Sequence, residues 1–284
     1  MLTDTHAHLD YPDFAEDFDA VLKRAEDAGV HRIVTIATGI ESSKRAVALA
    51  EKYPMVYAVV GVHPSNVGDE PADFLPELRD LALHPKAVAI GETGLDFHRL
   101  PEDPAEAAPG MAALGAGTAG NMHADVVNGA YKAAQEEAFR AHLELAAELG
   151  LNVVIHQRDA WIETLEVMKP FAGRLRGVFH CFGGSADQAA EIIVDGHLVS
   201  FTGIVTFKNA GLVRETAAGV PEGSFMVETD CPYLAPAPHR GSRCEPWHTS
   251  LVAAAVANAR GVEPSLLAAQ TEAPADRFFA FRKA

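Results

Sequence analysis

The strongest constraint on the fold is a regular alternation between short apolar, β-branched runs and longer amphipathic segments. Eight such runs begin at Leu2, Arg32, Met55, Ala87, Asn152, Gly177, His197 and Phe225. Strands that are apolar on both faces are typical of buried parallel strands. Eight of them alternating with helices predict an α/β fold, the (β/α)8 TIM barrel.

The segments between the runs support this prediction. Apolar residues recur at helical spacing in two of them, at Phe14, Phe18, Val21, Leu22 and Ala25, and at Phe139, Leu143, Ala146 and Leu149. An open doubly wound sheet is the main alternative, but no G-x-G-x-x-G follows the first run to support it. We expect the 284 residues to form one domain, 1–284.

The segment between the fourth and fifth runs is much longer than the others. The excess lies between about Pro101 and Gly129, where more than half of the residues are Ala, Gly or Pro. This biased composition has neither a helical nor a strand period. We therefore expect residues 101–129 to be an insertion in the loop after strand four.

Histidines and acids stand at the ends of these runs. The first run ends in "THAHLD", and His6 and His8 should face the same way because alternate residues of a strand share a face. Four more candidate ligands end later runs: Glu92, His156, His180 and Asp230. Active sites of such barrels lie at the carboxyl ends of the strands, so all six are expected on one rim.

Six ligands exceed what one tetrahedral zinc ion needs and suit two divalent ions that share a carboxylate. The expected sets are His6, His8, Glu92 and Asp230 for one ion, and Glu92, His156 and His180 for the other. Imidazole ligands favour zinc, whereas carboxylates leave room for magnesium or manganese. The native metal therefore stays open among Mg²⁺, Mn²⁺ and Zn²⁺.

The net charge of −16 argues against a protein that binds polyanions through a basic surface. If the substrate is a nucleic acid, metal ions and a few arginines must hold the phosphates. Arg99, Arg240 and Arg243 are the candidate phosphate contacts, because a guanidinium presents a fork of donors. His63, in "GVHP" at the end of the third run, is a candidate phosphate contact or leaving-group acid.

Several stretches resemble the signature sequences of TatD-type metal-dependent deoxyribonucleases, in the amidohydrolase superfamily. They are "THAHLD", "GVHP", "GETGLDF", "HQRDA", "HCFGG" and "ETDCPYLAPAPHRGSRCEPWH". The resemblance implies a (β/α)8 barrel that uses divalent ions and an activated water to trim single-stranded DNA from the 3′ end. It also implies the six ligands named above. Phe97 and Gln157 depart from the family pattern, which usually has tyrosine and often cysteine there.

Asp230 is the candidate proton acceptor, because a carboxylate at the edge of an ion can touch the attacking water. Glu92, the expected bridge, and His63 complete the set of catalytic candidates. The same rim could instead hydrolyse an amide or ester, including the ester of an aminoacyl-tRNA. A metal-storing protein is a further alternative, although it would need no arginines beside its ligands.

No apolar run approaches the ~20 residues of a membrane span, and no basic-then-apolar signal segment opens the sequence. The three cysteines form no C-x-x-C pair and fit a reducing compartment. We therefore expect a cytoplasmic protein whose partner is single-stranded DNA or another phosphodiester. We expect neither a membrane nor an obligate protein partner.

Overall fold

The computed structural model describes residues 1–102 and 118–281. Its eight strands, β1 to β8, are Leu2–Ala7, Val30–Ile36, Val56–Val60, Ala87–Asp96, Val153–Arg158, Gly177–Phe179, Leu198–Phe201 and Phe225–Val227. Its helices, α1 to α9, are Phe18–Asp27, Ile40–Lys52, Leu75–Ala82, Thr118–Leu149, Trp161–Met168, Ala186–Val194, Gly211–Gly219, Thr249–Arg260 and Pro264–Phe279. Each of the eight predicted runs forms a strand.

The strands form one parallel sheet in the order β1 to β8. The first and last strands approach each other where Ala7 forms a parallel bridge with Cys231. On either side of this bridge, the Asp230 N–H donates to the His6 carbonyl at 2.8 Å, and the His8 N–H donates to the Cys231 carbonyl at 2.8 Å. These contacts make a seam between the ends of the sheet, and the predicted TIM barrel is confirmed.

The amino end of the barrel is covered by α9. Val154 and Val178 share a strand face with His156 and His180, two residues later. Both valines belong to a buried apolar cluster that includes Phe278 of α9. Asn152, which precedes β5, donates to the Phe278 carbonyl at 2.6 Å. The opposite, carboxyl end is thus the open one.

The expected insertion is only partly described. Helix α4 begins at Thr118, so residues 118–129 are helical, and the expectation of a segment without helical structure is wrong there. Helix α4 continues without a break to Leu149, and extending a helix is easier than starting one, which explains the difference. Residues 103–117 of the insertion lie outside the described residues. That residues 1–284 form one domain stays a prediction.

None of the helices in the described residues is long and apolar enough to span a membrane. Helix α4, the longest of them, has 32 residues and carries charged side chains along its length.

A buried histidine ties α4 to the end of β3. His142 is fully buried, and its Nε2 accepts from the Val62 N–H at 3.0 Å. Its Nδ1–H donates to the Ala138 carbonyl at 2.6 Å. Both ring nitrogens are therefore satisfied in the neutral form, and burial lowers the pKa of His142 to about 4. Through Val62, this contact fixes the backbone that leads into His63.

We expect His142 to make the folded protein acid-sensitive. Its pKa falls from 6.5 in the unfolded chain to about 4 in the fold, so the unfolded chain binds a proton first as the pH falls. The free energy of unfolding should therefore decrease as the pH falls from about 6.5 to about 4, and His142 should account for roughly 3 kcal/mol of this decrease. Above about pH 6.5, titration of His142 should not change the free energy of unfolding. His142→Gln, which retains an acceptor but cannot titrate, should remove this part of the decrease.

The measurement is denaturant unfolding of both metal-free proteins at about pH 7.5 and about pH 4.5. His142→Gln costs some stability at both pH values, so the comparison uses the decrease between them. Equal decreases in the two proteins would show that another group causes the acid sensitivity.

Candidate active site

The six predicted ligands meet at the carboxyl end of the barrel. His6 and His8 stand at the end of β1, and their ring centroids lie 5.1 Å apart. Glu92 comes from within β4, and the other three follow from the ends of later strands: His156, His180 and Asp230. His6 is fully buried, and Glu92 is only 2% exposed. Side chains from five different strands thus converge in a space largely shielded from water.

Glu92 lies between two sets of histidines. Its Oε2 is 3.4 Å from Nε2 of His6 and 3.8 Å from Nε2 of His8. Its Oε1 is 2.6 Å from Nε2 of His180 and 2.8 Å from Nδ1 of His156. Each oxygen of one carboxylate therefore serves a different pair of imidazoles.

Two glycines let β4 bring Glu92 into this position. Gly91 has φ 139° and Gly94 has φ 143°, values that L side chains rarely adopt. A Cβ on Gly91 would lie 2.6 Å from the Val154 carbonyl oxygen, and one on Gly94 would lie 2.0 Å from the His156 carbonyl oxygen. The "GETG" sequence therefore allows β4 to pack closely against β5, which places Glu92 beside His156.

Hydrogen bonds on the far side of the rings orient two ligands. Nδ1–H of His8 donates to the Ile36 carbonyl at 2.9 Å, which leaves its Nε2 facing the cluster. Nε2–H of His156 donates to Asp96 at 3.2 Å, which leaves its Nδ1 facing the cluster. Outer hydrogen bonds of this kind fix the tautomer of metal-binding histidines.

The segment after β8 places Asp230 opposite β1. Asp230 has φ 63°, and its Oδ1 lies 3.4 Å from Nε2 of His8 and 3.6 Å from Nε2 of His6. Two residues earlier, buried Glu228 accepts from the Cys181 N–H at 2.7 Å and from the Ser200 hydroxyl at 2.6 Å. Glu228 thereby holds the backbone directly after His180.

The electrostatics of the cluster keep its carboxylates ionised. Burial acts to raise the pKa of Glu92, but His180 and His63 among other histidines hold it well below its usual range. Burial also opposes ionisation of Asp230, whereas the hydrogen bond from His8 lowers its pKa. Burial acts to lower the pKa of His180, yet Glu92 raises it well above the ordinary value. The site therefore presents anionic oxygens among nitrogen donors.

His63 lies against the same cluster. Its Nε2 is 3.2 Å from Nδ1 of His156 and 3.6 Å from Oε1 of Glu92. Its Nδ1 accepts from the Ser65 N–H at 3.1 Å, so the proton of the neutral ring belongs on Nε2. Burial lowers the pKa of His63 to about 3, which keeps the ring neutral. His63 thus points an N–H donor toward the center of the site.

The three predicted arginines have different surroundings. Arg99 is exposed, and its guanidinium makes no ion pair with any described residue. Arg240 is exposed and lies over the Phe207 ring at 3.9 Å. Arg243 pairs at 2.8 Å with Asp17 and at 2.8 Å with Glu245. The donors of Arg243 are therefore engaged by neighbouring loops, and its contact with phosphate stays a prediction.

Sequence reasoning missed the residues that support the ligands. Asp96 could have been found, because it stands four residues after Glu92, an even spacing that places both on the same face of a strand. Glu228 stands two residues before Asp230 in "ETD", which is a similar signal. Nothing in the sequence pairs His142 with Val62, because their contact spans 80 residues.

The residues fit divalent metal ions. Both ring nitrogens of His6 are buried without a hydrogen-bond partner, an arrangement that is costly unless an ion accepts a lone pair. Three groups of side chains have ligand atoms close enough to share an ion: His6, Glu92 and His180; His6, His8 and Asp230; and His63, Glu92 and His156. Mixed nitrogen and carboxylate donors are those that zinc, manganese and related ions take.

Comparisons with known proteins agree with this geometry. The family model described as TatD related DNase matches residues 3–280. The chain is 34% identical over 282 residues to a protein named uncharacterized metal-dependent hydrolase YabD of Bacillus subtilis, covering 98% of this chain and 99% of that protein. It is also 34% identical to the 3′-5′ ssDNA/RNA exonuclease TatD of Citrobacter rodentium, with 97% of each covered. The crystal structure of YJJV, a TatD homolog from Escherichia coli K12, superposes with a TM-score of 0.82 at 27% identity, covering 98% of both chains.

We expect Asp96 to strengthen metal binding through His156. Asp96→Asn weakens the acceptor of the His156 Nε2–H, so the affinity for metal should fall by about 10- to 100-fold. The matched control is Asp159→Asn, because Asp159 accepts from the exposed His98 nearby and should leave the affinity unchanged. Titration calorimetry of the metal-free proteins measures both values. An equal affinity in the wild type and Asp96→Asn would contradict the prediction.

Proposed function

The chain belongs to the family of TatD-related DNases, and from this membership we propose that it is a 3′-5′ exonuclease that hydrolyses phosphodiesters in single-stranded DNA. That it is a metal-dependent hydrolase follows from its family and its relatives. The observation that carries the finer proposal is the position of Glu92, whose two oxygens face two separate sets of ligands.

We propose that the site holds two divalent ions, of Mg²⁺, Mn²⁺ or Zn²⁺. His6, His8 and Asp230 would hold one ion, His156 and His180 the other, and Glu92 would bridge them. When bound, such ions lower the pKa of a water and neutralise charge on the phosphate oxygens. The buried side chains already stand close enough to one another to share such ions.

Asp230 is the residue best placed to take a proton from the attacking water. Its side chain is 15% exposed, whereas that of Glu92 is 3% exposed, so Asp230 forms the open edge of the cluster. A carboxylate with a lowered pKa is ionised at neutral pH and can accept hydrogen bonds from water. Asp230 would then act as general base while Glu92 remains fixed between the histidines.

His63 suits the opposite role. Its Nε2–H donor faces the cluster, and a donor there can hydrogen-bond a phosphate oxygen or the departing oxygen. Because the pKa of the neutral ring is low, at about 3, we favour a hydrogen-bond donor over a group that begins as a cation.

Two of the predicted phosphate contacts lack carboxylate partners among the described residues, which supports a phosphodiester substrate. Arg99 follows β4, and Arg240 lies in the segment after β8, so both belong to segments at the carboxyl end of the barrel. Both are exposed and offer guanidinium donors. Arg243 stays a candidate, although its donors are engaged by Asp17 and Glu245. A net charge of −16 offers no basic track for a duplex, which favours the end of a single strand.

The amide or ester hydrolase, including the aminoacyl-tRNA deacylase, is not favoured, because the matching family model is described as a DNase and a relative 34% identical is named an exonuclease. The metal-storing alternative has no support from relatives named as hydrolases and nucleases. We place the enzyme in the cytoplasm, because its three cysteines are free, as a reducing compartment would keep them.

We expect the metal-free protein to take up about two divalent ions per chain. His156→Ala should leave about one, whereas Glu92→Gln should weaken both, because one carboxylate serves both sets. Glu51→Gln is the matched control, since exposed Glu51 pairs only with the half-buried His84 among described residues. Titration with elemental analysis tests this. A single ion whose binding is indifferent to Glu92 would refute the bridge.

We expect metal-dependent cleavage of single-stranded DNA from its 3′ end and poor cleavage of duplex DNA. Asp230→Asn with its ions still bound should slow cleavage by about 100-fold or more, the scale of general-base catalysis. Arg240→Ala should slow it by about 10-fold, the scale of one charge-assisted hydrogen bond. Arg79→Ala is the control, because Arg79 pairs with Glu148 between two helices.

Labelled oligonucleotides, resolved by length over time, report both rate and direction. Unchanged cleavage by Asp230→Asn would exclude the proposed mechanism. Release of an amino acid from charged tRNA, with DNA left intact, would instead establish the deacylase.

A further inference from the structure

One aromatic side chain beside the metal ligands is unusually exposed. Tyr233 is 53% exposed, and it is the only exposed residue among the described phenylalanines, tyrosines and tryptophans. Single exposed apolar side chains are common on protein surfaces and carry no meaning by themselves. The position of Tyr233, three residues after Asp230, gives this one a context.

A series of rings leads from the ligands to Tyr233. The His8 ring stacks on Tyr11 at 4.9 Å with an interplanar angle of 21°. Tyr11 meets Tyr233 edge to face at 6.2 Å and 82°, and His8 itself lies 6.4 Å from Tyr233. The Tyr233 ring therefore lies beside His8, a predicted metal ligand, and is also exposed to solvent.

The backbone around Tyr233 is held in place. The Tyr233 N–H donates to the Asp230 carbonyl at 3.0 Å, and the Cys244 N–H donates to the Pro232 carbonyl at 3.0 Å. Leu234 adopts φ 56°, a conformation that persists only where the surroundings enforce it. An exposed ring on a fixed backbone loses little freedom when another ring stacks on it.

Charge near the ring suits a nucleotide. Burial raises the pKa of Tyr233, as do the carboxylates of Asp13 and Asp230, and Arg99 acts in the opposite direction. Arg99 therefore lies within electrostatic reach of the ring. The ring and the exposed guanidinium of Arg99, which pairs with no described carboxylate, both belong to segments at the carboxyl end of the barrel, where phosphodiester hydrolysis is proposed.

We propose that the ring of Tyr233 stacks on the nucleobase next to the phosphodiester that is hydrolysed. The inference rests on the proposed function and names the part of the substrate that this side of the site recognises. Stacking is tolerant of sequence, because every base has a π face. It also needs no long-range electrostatic attraction, so it can provide affinity for an anionic strand on a protein whose net charge is −16. Tyr233 is on this reading a specificity residue for nucleotides over other phosphodiesters.

The test measures cleavage by Tyr233→Ala and Tyr233→Phe with two oligonucleotides. In one, the nucleotides that flank the terminal phosphodiester carry bases, and in the other they are abasic. Tyr233→Ala should raise KM by about 10-fold on the oligonucleotide with bases, the scale of one lost stacking contact. It should change KM little on the abasic one, and kcat and metal content should be retained. Tyr233→Phe, which keeps the ring, should behave as wild type, as should the surface control Val194→Ala on α6.

An equal loss on both oligonucleotides, or no loss on either, would overturn the proposal. A second measurement keeps it distinct from the proposed exonuclease activity. A phosphorothioate oligonucleotide with 2-aminopurine beside the terminal linkage resists cleavage, and its fluorescence falls when the base stacks. If the metal-loaded wild type quenches the fluorescence and Tyr233→Ala does not, stacking on Tyr233 is supported, even if the protein does not cleave DNA. Absence of quenching in the wild type refutes it even if DNA is cleaved.

Discussion

A buried carboxylate that faces two sets of imidazoles is the interaction on which the rest of this molecule depends. Glu92 is 2% exposed, and an isolated buried carboxylate would be expensive to ionise. Here histidines on both sides hold its pKa well below its usual range. In the metal-free protein these histidines compensate the charge of Glu92. Bound divalent ions would take over that compensation. The charge of Glu92 is thus compensated before any ion binds, whereas the ring nitrogens of His6 still lack a hydrogen-bond partner.

The barrel is the means of bringing these groups together. No short segment could place a glutamate between His6 and His180, which are distant in sequence, yet their rings stack at 4.1 Å. Parallel strands deliver one or two side chains each to a common end, and two glycines in β4 remove the Cβ atoms that would keep it from β5. Hydrogen bonds from Asp96 and the Ile36 carbonyl then select which ring nitrogen faces inward.

The strands and the convergence of the six side chains could be predicted, because strand periodicity and residues at strand ends are visible in the order of the amino acids. The start of α4 could not, because residues 118–129 show no amphipathic period of their own and extend a helix whose apolar spacing becomes visible only later in the sequence. The surroundings of Arg243 could not either. Its partner Asp17 is 226 residues away, and no local pattern reveals that the two loops meet. Asp96 could have been predicted from the same strand alternation, because it stands four residues after Glu92.

The seam between the first and last strands ties the assembly of the site to the order in which the chain is made. His6 and His8 leave the ribosome first, but the residues that meet them, Asp230 and Cys231, follow after seven further strands. Until then the first strand has no neighbour on that side, and its histidines lack one of their carboxylates. A nascent or prematurely ended chain therefore carries an incomplete center. For the proposed exonuclease, activity would then arise only with the finished barrel.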